Sequence, residues 1–238
     1  MGFLMTLDFF DRNLVHQKFA LNKEGRDFVI GDLHGCKSDL INAMLDVSFN
    51  VTKDRIFSVG DLVDRGPDSV GCLELLDEPW FNAVKGNHEL MFTGTVGSTW
   101  DLENYYINGG EWIKELSDGE KKKWVKRINQ MPFAISVETP NGLVGITHSE
   151  PPSDWDDIEK LSEAEYMNMV WNRDLVRKVQ NWHNMRSPNK DPMRPRCANV
   201  YRTYHGHTPV AEPTFAGNTK YIDTGCVFGY TLTLEQIK

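Results

Sequence analysis

Short apolar runs recur along the chain, and each gives way abruptly to glycine and polar side chains. Phe28-Val29-Ile30 runs into Gly31-Asp32-Leu33-His34-Gly35. Ile56-Phe57-Ser58-Val59 runs into Gly60-Asp61-Leu62-Val63-Asp64-Arg65-Gly66, and Phe81-Asn82-Ala83-Val84 precedes Gly86-Asn87-His88-Glu89. Leu143-Val144-Gly145-Ile146-Thr147 ends at His148, and Val200 to Tyr204 ends at His205-Gly206-His207-Thr208-Pro209. Runs this short and this rich in β-branched and aromatic residues predict buried strands. Leu40, Ile41, Met44, Leu45 and Val47 fall near one helical face, with Ser38 or Asp39 as candidate cap. Val70, Leu73, Leu75 and Leu76 predict a second helix before the third strand. Strand–helix–strand–helix–strand implies parallel βαβ units, whose ligands lie beyond the carboxyl ends of the strands. Every polar cluster named above lies at such an end, which points to one shared site.

The stretch from Leu90 to Gln130 reads as helical and more polar, with Ser117-Asp118-Gly119-Glu120 as a capping box ahead of Lys121 to Gln130. Ser187 to Arg196 carries three prolines and reads as a loop. Tyr221-Ile222-Asp223-Thr224-Gly225 and Tyr230-Thr231-Leu232-Thr233-Leu234 predict two closing strands joined by a turn. No linker divides the chain. The expectation is one domain over 1–238, with 1–27 as an N-terminal extension and about 90–130 as a helical insert.

Composition narrows the class. The 238 residues are 40% hydrophobic and 25% charged, the proportions of a soluble globular protein. Lys and Arg number 26 against 34 Asp and Glu, a net charge of −8 that argues against a nucleic-acid backbone binder. The four cysteines lie far apart with no C-x-x-C pair, so they read as reduced thiols of a cytoplasmic protein. Met1 to Phe10 lacks the basic start of a signal peptide, and no apolar stretch is long enough to span a membrane. Oligomeric state has no signature in the sequence.

Asp32, His34, Asp61, Asn87, His148 and His207 together offer carboxylate, carboxamide and imidazole donors, the ligands of hard or borderline metals such as manganese, iron or zinc. With no cysteine among them, a structural zinc site does not fit. Asp32 and His34, two positions apart beyond one strand, can turn toward one ion, and Asp61 beyond the next can bridge two. Any one cluster alone is an ordinary turn. A match such as Gly-Asp-x-His-Gly arises by chance on the order of once in a thousand chains of this length, and here it is followed in order by two more glycine-bounded motifs. His205, two residues before His207, reads as buried or as support for the ligands. His16 and His183 have no such context and read as surface residues. The seven tryptophans read as packing residues, and Lys121-Lys122-Lys123 as a solvated helix face.

These motifs, with Trp171-Asn172-Arg173, Gly206-His207-Thr208-Pro209 and Tyr221-Ile222-Asp223-Thr224-Gly225, resemble the PPP-type serine/threonine protein phosphatases of the metallophosphoesterase (calcineurin-like) superfamily. Within that group they are similar to the small lambda-type enzymes of phage and bacteria, and the similarity runs from about Phe28 to Leu234. The resemblance implies an α/β sandwich of two mixed β-sheets flanked by helices, with two divalent ions, most often manganese, at the strand ends. It implies Asp32, His34 and Asp61 on the first ion, and Asp61, Asn87, His148 and His207 on the second. It further implies in-line attack of a metal-bridging hydroxide on a phosphoprotein. On the same resemblance, Arg65, Arg173 and Asn87 are expected to bind the phosphoryl oxygens, with His88 as general acid and Asp64 orienting it. The chain departs from the family at His148-Ser149-Glu150, where His-Ala-Gly or His-Ala-Asp is usual.

Other chemistries fail on the text. No cysteine has an arginine six positions later, Asp-x-Asp-x-Thr/Val is absent, and so is G-x-x-x-x-G-K-[ST]. The competing reading is a symmetrical diadenosine tetraphosphate hydrolase, which shares the metal motifs but usually lacks the acid at the position of Asp64 and carries Gly-Asn-His-Asp. A non-catalytic metal-binding interaction protein is expected to have lost His88, Arg65 or a ligand, and all are present.

Overall fold

The computed structural model describes residues 11–184 and 197–238. Its strands and helices follow in the order β1 (His16–Phe19), β2 (Asp27–Ile30), α1 (Lys37–Asp46), β3 (Arg55–Ser58), α2 (Ser69–Glu74), β4 (Phe81–Ala83) and α3 (Asn87–Val96). Then come α4 (Leu102–Ile107), α5 (Asp118–Asn129), β5 (Ala134–Thr139), β6 (Gly142–Ile146), α6 (Glu163–Trp171), α7 (Asp174–Asn184), β7 (Arg202–His205), β8 (Thr214–Ala216), β9 (Thr219–Tyr221) and β10 (Leu234–Ile237). Short 3-10 turns at Leu75–Asp77 and Gly110–Glu115 extend α2 and link α4 to α5.

The βαβ pattern is realised in a four-stranded sheet ordered β10-β2-β3-β4. β2, β3 and β4 are parallel, with Phe28 opposite Ile56 and Ile56 opposite Phe81. The second sheet is mixed, ordered β1-β5-β6-β7-β9-β8. Strand alternation divides the apolar residues between layers. Val29, Phe57, Val59 and Val84 turn inward and meet Ile135, Val137, Val144, Ile146 and Tyr204 of the second sheet. Phe28, Ile30 and Ile56 turn outward onto Leu40, Leu73, Phe92, Trp124 and Ile128 of the helices. Trp155, Tyr166, Met169 and Val170 belong to a further cluster with Ala134 of β5. Phe57 is fully buried between the sheets, so Phe57→Ala there costs about 3–5 kcal/mol. The architecture is the α/β sandwich of two mixed sheets flanked by helices.

Several local expectations change. β1 precedes Phe28, in a stretch without a strand signature: an edge strand with mixed exposure shows no apolar alternation, yet it pairs in parallel with β5. The two closing strands are not partners. β9 pairs with β7 and β8, whereas β10 crosses to the other sheet and lies antiparallel to β2. Gly225 and Gly229, both left-handed at φ 72° and 85°, make that crossing. Helix α1 has Cys36 at its N-cap and no side-chain cap, so neither Ser38 nor Asp39 serves. The Ser117 capping box forms as read, with Glu120 returning a carboxylate oxygen to the Ser117 N–H at 2.8 Å. His16 is not a surface residue. Its side chain is 6% exposed and lies 2.7 Å from Ser136 Oγ and 3.2 Å from Glu159. The side chain of His183 and the loop read at Ser187 to Arg196 lie outside the described residues. Among the described residues, no helix is long and apolar enough to cross a membrane.

Candidate functional site

The loops leaving β2, β3, β4, β6 and β7 converge where the two sheets open. Asp32 and His34 follow β2; Asp61, Asp64 and Arg65 follow β3; Asn87 and His88 begin α3 after β4; His148 follows β6 and His207 follows β7. This convergence is bought with unusual backbone. His34, Asp61, Asp64, Arg65 and His207 all have positive φ, between 43° and 73°. Each such residue costs on the order of 1 kcal/mol, so the surroundings must hold it. The N–H groups of Leu33 and His34 donate to Asp61 O, tying the β2 loop to the β3 loop. Space demands glycine at several positions: a Cβ on Gly66 would lie 1.9 Å from His34 O, one on Gly206 1.8 Å from Asp32 Oδ1, and one on Gly86 2.1 Å from Asp61 Oδ1.

Among the described residues, two clusters have ligand atoms within mutual reach, His34–Asp61–His88 and Asp61–His148–His207. Asp61 belongs to both. Its Oδ1 lies 3.3 Å from His148 Nε2, while its Oδ2 lies 3.6 Å from His34 Nε2 and 3.9 Å from His88 Nε2. Asn87 Oδ1 joins the second cluster, 3.0 Å from His148 Nε2 and 2.7 Å from His207 Nδ1. Asp32 belongs to neither cluster; its carboxylate accepts the His207 N–H at 3.0 and 3.2 Å, which ties it to the loop that carries a member of the second.

The imidazole tautomers suit cation binding. His34 Nδ1 donates to Val63 O at 2.8 Å and His148 Nδ1 donates to Val59 O at 2.7 Å, which leaves each Nε2 with a lone pair. His207 is turned the other way: Nε2 donates to Trp171 O at 3.3 Å, and Nδ1 faces the cluster. The His34 lone pair accepts from Arg65 Nη1 at 2.5 Å, which brings the guanidinium to the same nitrogen.

Charge is concentrated here. Burial, then the neighbouring Asp223 and Asp61 carboxylates, push Asp32 well above the usual carboxylate range. Burial raises Asp223 to about 6, and burial with Asp61 raises Glu89 to about 7. Burial also works to raise Asp61, but His148, His88 and His34 outweigh it and hold Asp61 well below the usual range. Burial lowers His34 to about 3 and His207 to about 2, keeping both neutral. For His148, burial is outweighed by Asp61 and the net direction is upward. The Asp61 carboxylate, the Asn87 carboxamide oxygen and the imidazoles of His34, His148 and His207 are a donor set suited to hard or borderline divalent cations.

His88 differs from the other three. Its Nδ1 meets a carboxylate, Asp64 Oδ2, at 2.6 Å, and both side chains are almost wholly buried. Asp64 Oδ1 in turn accepts from Tyr105 Oη and Trp112 Nε1, each at 2.6 Å. Arg65 is exposed at the mouth. Arg173 is half-buried; burial and Arg177 lower it, while Asp61 acts in the opposite sense. Glu150 accepts from Asn172 Nδ2 at 3.1 Å and from the Leu175 N–H at 2.5 Å, bracketing Arg173.

Three contributions to the site lie outside the residues assigned to it by sequence. Glu89 accepts the N–H groups of Asp61, Leu62 and Gly86 at 2.8–2.9 Å, fastening the β3 loop to the start of α3. The capping logic of a glutamate three residues into a helix was the signal for it. Asp223 lies within the Tyr221-Ile222-Asp223-Thr224-Gly225 motif. Tyr105 and Trp112 carry no local signal, and Trp112 is more than a packing residue. His205 lies outside both clusters. It is buried, its Nδ1 lies 2.9 Å from Thr147 Oγ1, and burial lowers it to about 3.

A model of the calcineurin-like phosphoesterase family matches residues 28–213, which include every loop described above. The chain belongs to that family. Its members use a dinuclear divalent metal site, and the donor set here accords with one. The chain is 31% identical to serine/threonine-protein phosphatase 1 of Salmonella typhimurium, over 94% of this chain and 97% of that protein. It is 27% identical to an asymmetrical bis(5'-nucleosyl)-tetraphosphatase of Oceanobacillus iheyensis, covering 86% of each. A solved protein serine/threonine phosphatase from Saccharomyces cerevisiae shares the fold, with a TM-score of 0.59 at 16% identity over 89% of this chain and 72% of that one. The phosphoesterase is thus a hydrolase, with protein phosphatases and nucleoside tetraphosphatases among its relatives.

Proposed function

We propose that this phosphoesterase removes phosphate from phosphoserine and phosphothreonine in proteins, with phosphotyrosine as a further substrate. The observation that carries this reading is the buried Asp64–His88 pair. A seryl or threonyl oxygen is a poor leaving group and needs a proton as the ester breaks. A nucleotide leaving from a tetraphosphate departs as a phosphate, whose pKa is about 6, and needs no donor. A donor held this firmly has a use with an alcohol. The protein phosphatase relatives, at 30–32% identity over most of the chain, support the same substrate class.

In this reading Asp32, His34 and Asp61 hold one ion and Asp61, Asn87, His148 and His207 the other, with manganese as the preferred metal. When bound, the ions supply Lewis-acid polarisation and a water of lowered pKa. Arg65 and Arg173 grip the phosphoryl oxygens, each guanidinium offering paired donors, and Asn87 lies beside them. Protonated His88 gives its Nε2 proton to the leaving oxygen, while Asp64 accepts the Nδ1–H and fixes the ring. No covalent phosphoenzyme is required.

The competing reading, diadenosine tetraphosphate hydrolysis, is favoured by the tetraphosphatase relatives, which are of the asymmetrical rather than the symmetrical kind. The two are separated by supplying manganese-loaded enzyme with a phosphoserine peptide and with diadenosine tetraphosphate. The expected result is a higher kcat/KM on the peptide. Preference for the dinucleotide would overturn the assignment.

A further inference from the structure

We propose that Tyr105 and Trp112 are positioning residues for proton delivery, holding Asp64 so that it keeps the His88 imidazole aligned with the leaving oxygen. The inference rests on the reading of His88 as proton donor.

Asp64 is fully buried, and its two oxygens are divided between two tasks. Oδ2 meets His88 Nδ1, and Oδ1 takes both the Tyr105 hydroxyl and the Trp112 indole N–H, all at 2.6 Å. Two donors on one oxygen stop the carboxylate from rotating, so the other stays on the imidazole. The backbone beneath needs the same support. Asp64 and Arg65 are consecutive non-glycine residues at φ 73° and 69°, a conformation that persists only where its surroundings over-determine it. The Arg65 N–H donates to Gly109 O at 3.0 Å, between the two donor residues in sequence. The segment from Tyr105 to Trp112 therefore clamps the β3 loop at side chain and main chain together.

Both donors are themselves fixed. Tyr105 is fully buried, and a Cβ on Gly110 would lie 2.3 Å from its ring, so the glycine backbone covers one face. Trp112 stacks on Phe92 of α3, with centroids 5.4 Å apart and planes 21° apart, and α3 is the helix that begins at Asn87 and His88. Trp112 and the imidazole thus share α3 as support, while Tyr105 is held against Gly110, and positioned groups gain most from such fixing. A purely structural role for the two aromatics would affect every substrate alike. A role in proton delivery affects only esters whose leaving oxygen needs a proton.

The test compares phenyl phosphate, with a leaving oxygen of pKa about 10, with 2,4-dinitrophenyl phosphate, whose leaving group departs unprotonated. Tyr105→Phe removes one hydroxyl, and Trp112→Phe removes the N–H but keeps a ring against Phe92. Manganese-loaded variants are expected to lose on the order of 10–100-fold in kcat on phenyl phosphate and under about threefold on the dinitrophenyl ester. Bound metal should stay at the wild-type stoichiometry, and Tyr105→Phe should add nothing further to Asp64→Asn. Equal losses on both esters, no loss on phenyl phosphate, or full additivity with Asp64→Asn would each overturn the proposal. If Tyr105→Phe does not fold, Trp112→Phe carries the same comparison. His88→Asn is run alongside. If it shows no selectivity between the esters, the donor assignment and this proposal fall together; if it is selective and the aromatic variants are not, this proposal alone falls.

Discussion

The His207 N–H donates to both carboxylate oxygens of Asp32, at 3.0 and 3.2 Å, joining loops from the two sheets across 175 positions of sequence. The contact is this close because the residue before His207 is glycine. Asp32 is therefore placed by the second sheet as much as by its own strand, and either loop displaces the other's donor if it moves.

Gly206→Ala tests that dependence. The new Cβ would meet Asp32 Oδ1 at 1.8 Å and Val59 Cγ2 at 2.6 Å, so the carboxylate or the loop must shift. Overpacking of this kind costs about 1–3 kcal/mol, which a lower urea midpoint would register. Manganese affinity at one of the two sites is expected to fall by roughly 10–100-fold, read by titration calorimetry. Two undiminished sites would show that Asp32 is not a ligand.

His88→Asn separates a proton donor from a ligand. His88 Nε2 is 3.9 Å from Asp61, close enough for either role. If it donates a proton, the variant keeps two ions by metal analysis and loses about 10²–10⁴-fold in turnover of phenyl phosphate. Chelation should silence the wild type, and added manganese should restore it. Loss of an ion in His88→Asn would make the residue a ligand instead.

Much of this site is readable because each working residue directly follows an apolar run, and because glycine at positions such as 86 and 206 is imposed by a carboxylate where a Cβ would stand. What escapes the sequence is partnership at a distance. Tyr105 and Trp112 reach Asp64 across 41 and 48 positions, and neither lies on a motif. The runs near Tyr221 and Leu234 look like a hairpin because local turn chemistry does not say which sheet a strand joins. β1 escapes because an edge strand with outward polar residues has no period to detect. His16 looks superficial because Ser136 and Glu159, which cover it, come more than a hundred residues later.

At His148-Ser149-Glu150 the glutamate is anchored to the segment that carries Arg173. Its carboxylate holds Asn172 Nδ2 and the Leu175 N–H, one on each side of Arg173, and so also caps the start of α7. Glu150→Ala is expected to cost about 1 kcal/mol of stability, as for the loss of a helix cap. If Arg173 binds phosphate, KM and the inhibition constant for inorganic phosphate should rise several-fold, with kcat falling less. Glu150→Gln keeps an acceptor and should recover much of both. An unchanged KM in Glu150→Ala would detach Arg173 from phosphate binding.

Acid sensitivity has one source well away from the centre. His16 Nδ1 faces Glu159, so its Nε2 accepts from Ser136 Oγ, and that oxygen accepts the Trp155 indole N–H at 2.8 Å. The chain of bonds is complete with a neutral imidazole. Burial lowers the pKa below its usual 6.5; Glu159 opposes this and Lys18 reinforces it. The unfolded chain therefore takes up the proton first as pH falls. Stability is fully present above pH ~6.5 and is lost as pH falls toward the lower folded pKa, at no more than about 1.4 kcal/mol per pH unit from one group. Urea unfolding at pH 7.5 and 5.5 should show the wild type losing more stability on acidification than His16→Gln, which keeps an acceptor for Ser136 but cannot titrate. Parallel losses in the two proteins would place the acid sensitivity elsewhere.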